Sequence, residues 1–259
     1  MKRSAWQITR SVWHALLLRE AVARLFRRRA AAVWLLLEPV ASIGFMMVMF
    51  TALRARHVGG MDSALWLSAG LLGFYLFRRT STQGAAAISA NLALFTYRQV
   101  KPVDTVLTRC LLEGVILMVI SSLVAGLLML TNHPLKADDP LSLLWASLGL
   151  WLLGLAWALV TSVLTMLVPE MTHLLGLLMM PLMLVSGAVF PLSAIPYPWR
   201  EWLMLNPVAH GIEGVRAALS GYCHHAPELS LAYLHGVAMV LLLTGLALQI
   251  RFHHRVVSL

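Results

Sequence analysis

Few residues in this chain are equipped for chemistry, and several of those lie inside apolar runs. Glu38 stands beside Pro39 in one such run, and Glu113 follows Arg109 by one helical turn near the start of another. A carboxylate in an apolar segment is costly, so it is expected to be paired or to face a pathway. Glu38 fits either role: lining or gating, or a pair with Arg78 or Arg79. Glu113 better fits a structural pair, with Arg109 the nearest partner in sequence. His210, Glu213 and Arg216 recur at three-residue spacing, which puts them on one helix face. Such a face can meet a ligand, but an internal ion-pair lattice is the commoner outcome, because buried charges are rarely left unpaired. Glu170 and His173 add two more titratable groups, and with Glu38 and Glu113 they form no recognised catalytic motif. No catalytic residue is expected. Cys223, His224 and His225 are adjacent in a loop, where side chains seldom converge on one ion, so no metal site is expected.

Nucleotide chemistry is also excluded for a P-loop, which needs glycine directly before its lysine. The three lysines, Lys2, Lys101 and Lys136, follow Met1, Val100 and Leu135. Composition then fixes the class. Of 259 residues, 59% are hydrophobic and 12% charged, with a mean hydropathy of +0.79. Soluble domains carry about 25% charged residues. The chain reads as an integral membrane protein. Its net charge of +9 does not point to nucleic acid, because the basic residues flank hydrophobic runs, where they set orientation. Arg10, Arg19, Glu20 and Arg24 interrupt any apolar core near the start, so no signal peptide is expected.

The elements that position these groups can be read in order. Residues 1–29 hold a basic amphipathic pattern. Ile8, Val12, Ala15, Leu16, Val22 and Phe26 share one face; Arg10, His14, Arg24 and Arg28 lie roughly opposite, and Arg19 intrudes on the apolar face. This predicts a helix lying along the membrane surface. Six spans follow, each needing about 20 apolar residues: roughly 30–53, 64–90 with an interruption at Arg78 and Arg79, 103–130, 141–168, 174–189 and 231–250. Between the fifth and sixth, Pro191, Pro196, Pro198 and Pro207 break the helix, and Trp199 and Trp202 suit a membrane boundary. This predicts a re-entrant hairpin over about 190–216, tolerated only against protein or a polar cavity. An even number of spans puts both termini on one side. Fifteen lysines and arginines fall on the terminal side and five on the other, so the termini are expected in the cytoplasm. Cys110 and Cys223 then fall on opposite faces, and no disulfide between them is expected.

The longest cytoplasmic connection is 91–109, NLALFTYRQVKPVDTVLTR, broken at Pro102. It can present Tyr97, Arg98, Gln99 and Lys101 to a partner, or rest its basic residues on lipid headgroups. The basic N-terminal helix, the six spans, YRQVKPVDTVLTR and the pattern SGAVFP…NPVAHGIEGVR together resemble the permease subunit of a type-2 ABC exporter. RQVKPVD beside LLEP of the first span is similar to the branch that exports capsular polysaccharide from Gram-negative bacteria.

The resemblance implies an all-α integral membrane fold. Its parts would be an N-terminal interface helix (1–29), a six-helix transmembrane domain (30–259), a coupling helix at about 91–102 and a periplasmic gate hairpin at about 190–216. Tyr97, Arg98, Gln99 and Lys101 would touch a cytoplasmic ABC ATPase, present in two copies, which would carry the ATP and Mg. This chain would bind no cofactor. The first and fifth spans would line the path, completed by a second copy of the chain. Glu38, Phe45, Phe190, Pro191, Tyr197, Trp199, His210, Glu213 and Arg216 would belong to that path or its gate, the aromatic residues offering faces on which sugars stack. The location would be the bacterial inner membrane. The cargo would be a lipid-linked polysaccharide passed to periplasmic adaptor and outer-membrane export proteins. O-antigen or teichoic acid is the alternative cargo, and an integral-membrane lipid-modifying enzyme is the alternative class.

Overall fold

The computed structural model describes residues 5–26, 31–52, 57–58, 60–97, 99–131, 133, 137–221, 226–253 and 255. Arg28, Arg98, Lys136, Cys223, His224 and His225 lie outside the described residues. The chain is an all-α membrane protein built from α1 (Ala5–Phe26), α2 (Ala31–Ala52), α3 (Ser63–Ala85), α4 (Pro102–Leu130), α5 (Pro140–Leu167), α6 (Met171–Val185), α7 (Trp199–Leu203), α8 (Pro207–Leu219) and α9 (Leu231–Arg251). A two-residue ribbon, β1 (His57–Val58) against β2 (Met61–Asp62), precedes α3. By length and apolarity, α4, α5 and α9 can each cross a membrane, and α6 is a shorter apolar helix.

Local chemistry sets the helix starts. Pro102, Pro140 and Pro207 occupy first-turn positions, where the missing N–H costs nothing. Asp62, Asp139 and Asn206 cap α3, α5 and α8 through their side-chain oxygens. Pro39 and Pro181 lie within α2 and α6, which continue through them, as helices in membranes often do. Arg78 and Arg79 interrupt the apolar run but not the helix, which continues to Ala85, and Arg79 finds a buried carboxylate.

The centre of the molecule is α3. Its Trp66, Leu67, Leu71, Phe74 and Phe77 are buried, and they cluster with Leu117 and Ile120 of α4, Leu150 and Leu153 of α5, Ile212 of α8 and Leu234 of α9. Small residues let the backbones meet. A Cβ on Gly154 would come within 3.0 Å of the Phe77 carbonyl oxygen. Two poles result. One gathers α1, the end of α3, residues 86–97 and 99–101 and the start of α4, tied by Trp13 to Asp104 and by Asn91 to Glu20. The other gathers the start of α3, His133, residues 137–139, α8 and residues 226–230, tied by His133 to Asp62 and by Gly221 to Asp138.

Candidate functional site

At the first pole the charged groups form one cluster. Glu113 of α4 is fully buried and pairs with Arg24 of α1 and, at 3.1 Å, with Arg79 of α3. Glu20, one turn before Arg24, lies 3.7 Å from it and 3.9 Å from Arg109. The Gln83 amide oxygen accepts from Arg24 and Arg109 at 3.1 and 3.3 Å. Asn91 donates to Glu20 at 3.1 Å and to the Ala87 carbonyl at 2.8 Å. Burial, reinforced by Arg109, lowers the Arg24 guanidinium to about 10, which leaves it charged at neutral pH. Three elements and a connecting segment are thus held by charge rather than by apolar contact alone.

This cluster corrects two expectations. Glu113 is paired as expected, but with Arg24 and Arg79 rather than with Arg109, which turns to Glu20 and Gln83. The faces of α1 also differ from the sequence pattern. Leu16 is buried and Arg24 points inward, while Ala15, Val22, Arg10 and His14 are exposed. The signal available in sequence was Glu20 and Arg24 at four-residue spacing; the partner of each, Arg109 and Glu113 respectively, lies 89 residues further along and is invisible to any local pattern.

The connection to α4 has a different helical register from the one expected over 91–102. A 3-10 turn covers Ser89–Thr96, Tyr97 is extended, and α4 starts at Pro102. Lys101 is also extended (φ −102°, ψ 150°), because the residue before a proline is driven out of helical geometry. Tyr97, Gln99 and Lys101 therefore sit on the turn after the short helix, all exposed. Asp104 ties this turn to α1: it accepts the Lys101 backbone N–H at 3.1 Å and the Trp13 indole N–H at 2.8 Å.

At the other pole the chain after α6 breaks at Ser186–Pro191. Gly187 has φ +69°, a conformation open to glycine. Arg216 of α8 is fully buried beneath this turn. It donates to the carbonyls of Gly187 and Ala188 at 2.8 and 2.9 Å, to Glu213 at 2.9 Å and to the Trp66 carbonyl at 3.3 Å. Its guanidinium lies 3.6 Å from the centre of the Trp66 ring. Gly70 makes room for it: a Cβ there would lie 2.1 Å from Arg216 and 2.4 Å from the Ala188 carbonyl oxygen. Asn206 donates to Ser186 at 2.8 Å. The Ser230 N–H donates to His210 Nδ1 at 3.0 Å, so Nε2 carries the proton and donates to the Met204 carbonyl at 2.7 Å. His210, Glu213 and Arg216 are all buried. The expected lattice exists for Glu213 and Arg216, while His210 serves the backbone. None of the three is open to a ligand in this conformation.

The remaining predicted residues are accessible. Phe190, Tyr197 and Trp199 are exposed and Pro191 is half-buried. On α2, Trp34, Glu38, Ala41, Phe45 and Val48 form one exposed stripe. Among the described residues no ion pair reaches Glu38, and Arg79 is engaged by Glu113. The faces of α2 and α6 are thus left open, with Leu177, Leu178, Met180 and Leu184 exposed on the latter.

Residues 12–220 match the family of ABC-2 type transporters. The chain belongs to that family. It is 32% identical over 249 residues to the polysialic acid transport protein KpsM of Escherichia coli, covering 96% of each chain. It is 27% identical over 257 residues to the capsule polysaccharide export inner-membrane protein CtrC of Neisseria meningitidis serogroup B, covering 97% of this chain and 96% of the relative. It is 27% identical over 241 residues to the protein of the same description, BexB, of Haemophilus influenzae, covering 93% and 91%. This is a transporter permease subunit and not an enzyme.

Proposed function

We propose that this chain is the permease through which a lipid-linked capsular polysaccharide leaves the cytoplasm for the periplasm. The observation that carries the reading is the match, over nearly the full length of each chain, to capsule-export inner-membrane proteins. In this reading the chain crosses the inner membrane six times with both termini cytoplasmic. Two copies meet along the open faces of α2 and α6, and Glu38, Phe45 and the neighbouring aromatic residues line the path between them. The turn 97–101 docks on a cytoplasmic ABC ATPase, two copies of which hold ATP and Mg. Closure of the ATPases moves this turn, and the Glu20–Arg24–Glu113 cluster carries α1, α3 and α4 with it. Residues 190–216 form the re-entrant periplasmic gate, which Arg216 holds shut at the Gly187–Ala188 turn. Adaptor and outer-membrane export proteins receive the polymer.

Deletion of the gene, followed by staining for surface capsule, tests this. Loss of capsule with lipid-linked polymer trapped inside the cell is expected; loss of polymer synthesis would contradict it. A phosphatase reporter fused after Glu228 should be active and one at the C-terminus inactive, and the reverse would overturn the sidedness.

A further inference from the structure

A groove of about 1000 Å³ runs between α3, α4 and α5 and touches α8 at Val215 and Leu219. Leu76, Met118, Leu128 and Leu148 typify its lining. Trp151 closes one end: its indole N–H donates to the Cys110 carbonyl at 3.0 Å, and a Cβ on Gly114 would come within 2.8 Å of the indole nitrogen. Away from Trp151 the lining reaches Ala137. Asp138 and Asp139 follow directly. Asp138 accepts the Gly221 N–H at 2.8 Å, and Asp139 caps α5 through Leu141 and Ser142 at 3.1 Å. Both are exposed, and hydrogen bonds from Ser142 hold the Asp139 carboxyl below its ordinary range. Among the described residues neither pairs with an arginine or lysine; Lys136 lies outside the described residues.

A largely apolar groove within these helices offers water few partners, the hydroxyls of Ser68, Ser121, Ser122 and Ser147, and, left empty, forfeits dispersion contacts along its walls. The surrounding hydrocarbon supplies chains that fit. The two carboxylates at the mouth repel an anionic headgroup, an anionic lipid-linked polymer included, and attract an ammonium. We propose that the groove holds an acyl chain of a phosphatidylethanolamine-type phospholipid, drawn from the leaflet at the 137–139 pole, with its ammonium at Asp138 and Asp139. Calling that leaflet periplasmic rests on the sidedness above; the lipid's identity does not. Its role is to brace α4 against α5 where protein does not fill the gap.

The test is native mass spectrometry of the full chain taken from bilayers of equal phosphatidylethanolamine and phosphatidylglycerol. Wild type should keep phosphatidylethanolamine over phosphatidylglycerol by about fivefold, the preference that roughly one charge contact near a membrane surface confers. Ala125→Phe, which narrows the groove, should lower the retained lipid. The double variant Asp138→Asn, Asp139→Asn keeps the acceptor oxygens and the cap, so it should retain lipid without the headgroup preference. Equal retention of both lipids by wild type overturns the proposal, as does undiminished retention by Ala125→Phe, or absence of retained lipid. Reversed reporter fusions would change the leaflet and leave these outcomes as they are.

Discussion

Replacing Glu113 by glutamine probes the join between α1 and the membrane domain. An exposed ion pair would contribute about 0–1 kcal/mol. Glu113 has no exposed surface, and Arg24 and Arg79 are 12% and 17% exposed. Removing the carboxylate charge leaves two mostly buried guanidiniums without their counter-ion, and breaking a buried pair in this way costs about 3–5 kcal/mol. Glutamine can still accept one hydrogen bond, and Arg24 retains Glu20, so about 3 kcal/mol is the working figure. At about 2–4 °C per kcal/mol, the melting temperature of the purified chain should fall by about 6–12 °C. Arg24→Gln should also destabilise. The double variant should lose less than the sum, with a coupling of about 1–3 kcal/mol, because the second change removes one of the charges the first left unpaired. Thermal unfolding of the four proteins in one detergent measures this. An unchanged melting temperature for Glu113→Gln, or strict additivity, would refute the idea that Glu113 fastens α1 to α3 and α4.

Three further outcomes are expected. Arg216→Lys keeps the charge but loses the fork onto Gly187 and Ala188 and the stack on Trp66; it should cost about 3 kcal/mol and lower the amount of folded protein, and wild-type levels would contradict that. Glu228, bonded by Arg200 at 2.9–3.1 Å, is held below its ordinary value of 4.5 by that arginine, against the opposing effect of burial. A depressed carboxyl stabilises the fold above its unfolded pKa and loses that contribution as pH falls through its folded one. Glu228→Gln should therefore cost at most about 1 kcal/mol at neutral pH and flatten the loss of stability below pH 4.5, as read by thermal melts across acid pH. Glu38→Gln lies on an exposed stripe, so protein level should hold while surface capsule falls; unchanged capsule would remove Glu38 from the path.

Much of the helical frame was legible in the residues themselves. The apolar runs and the first-turn prolines mark α4, α5 and α9 to within a few positions, and Pro102 announces the break before α4. Partners at long range were not legible. Glu113 has Arg109 four positions before it, so sequence favours that pair, yet the orientation of α1 brings Arg24 instead. On α1 the expected polar face splits: Arg10 and His14 are exposed, while Arg24 turns inward to Glu113. His210, Glu213 and Arg216 were visible as a shared face, but only packing shows that α8 is enclosed by α3, α5 and α9, which buries all three. Arg216 reading two backbone carbonyls has a faint trace in sequence: glycines at 70 and 187 and the serine at 186, whose meaning appears only once the chain is folded.

The central claim, that this chain moves a lipid-linked polysaccharide when a separate ATPase drives it, is tested most directly in reconstituted vesicles. The chain and its ATPase subunit would be placed in liposomes carrying lipid-linked capsular polymer on the ATPase-exposed face. The polymer should become protected from an added glycan-degrading enzyme only when ATP and Mg are supplied, and not when either subunit is omitted. Polymer that stays accessible while the ATPase turns over, or protection by the permease chain without the ATPase, would contradict it.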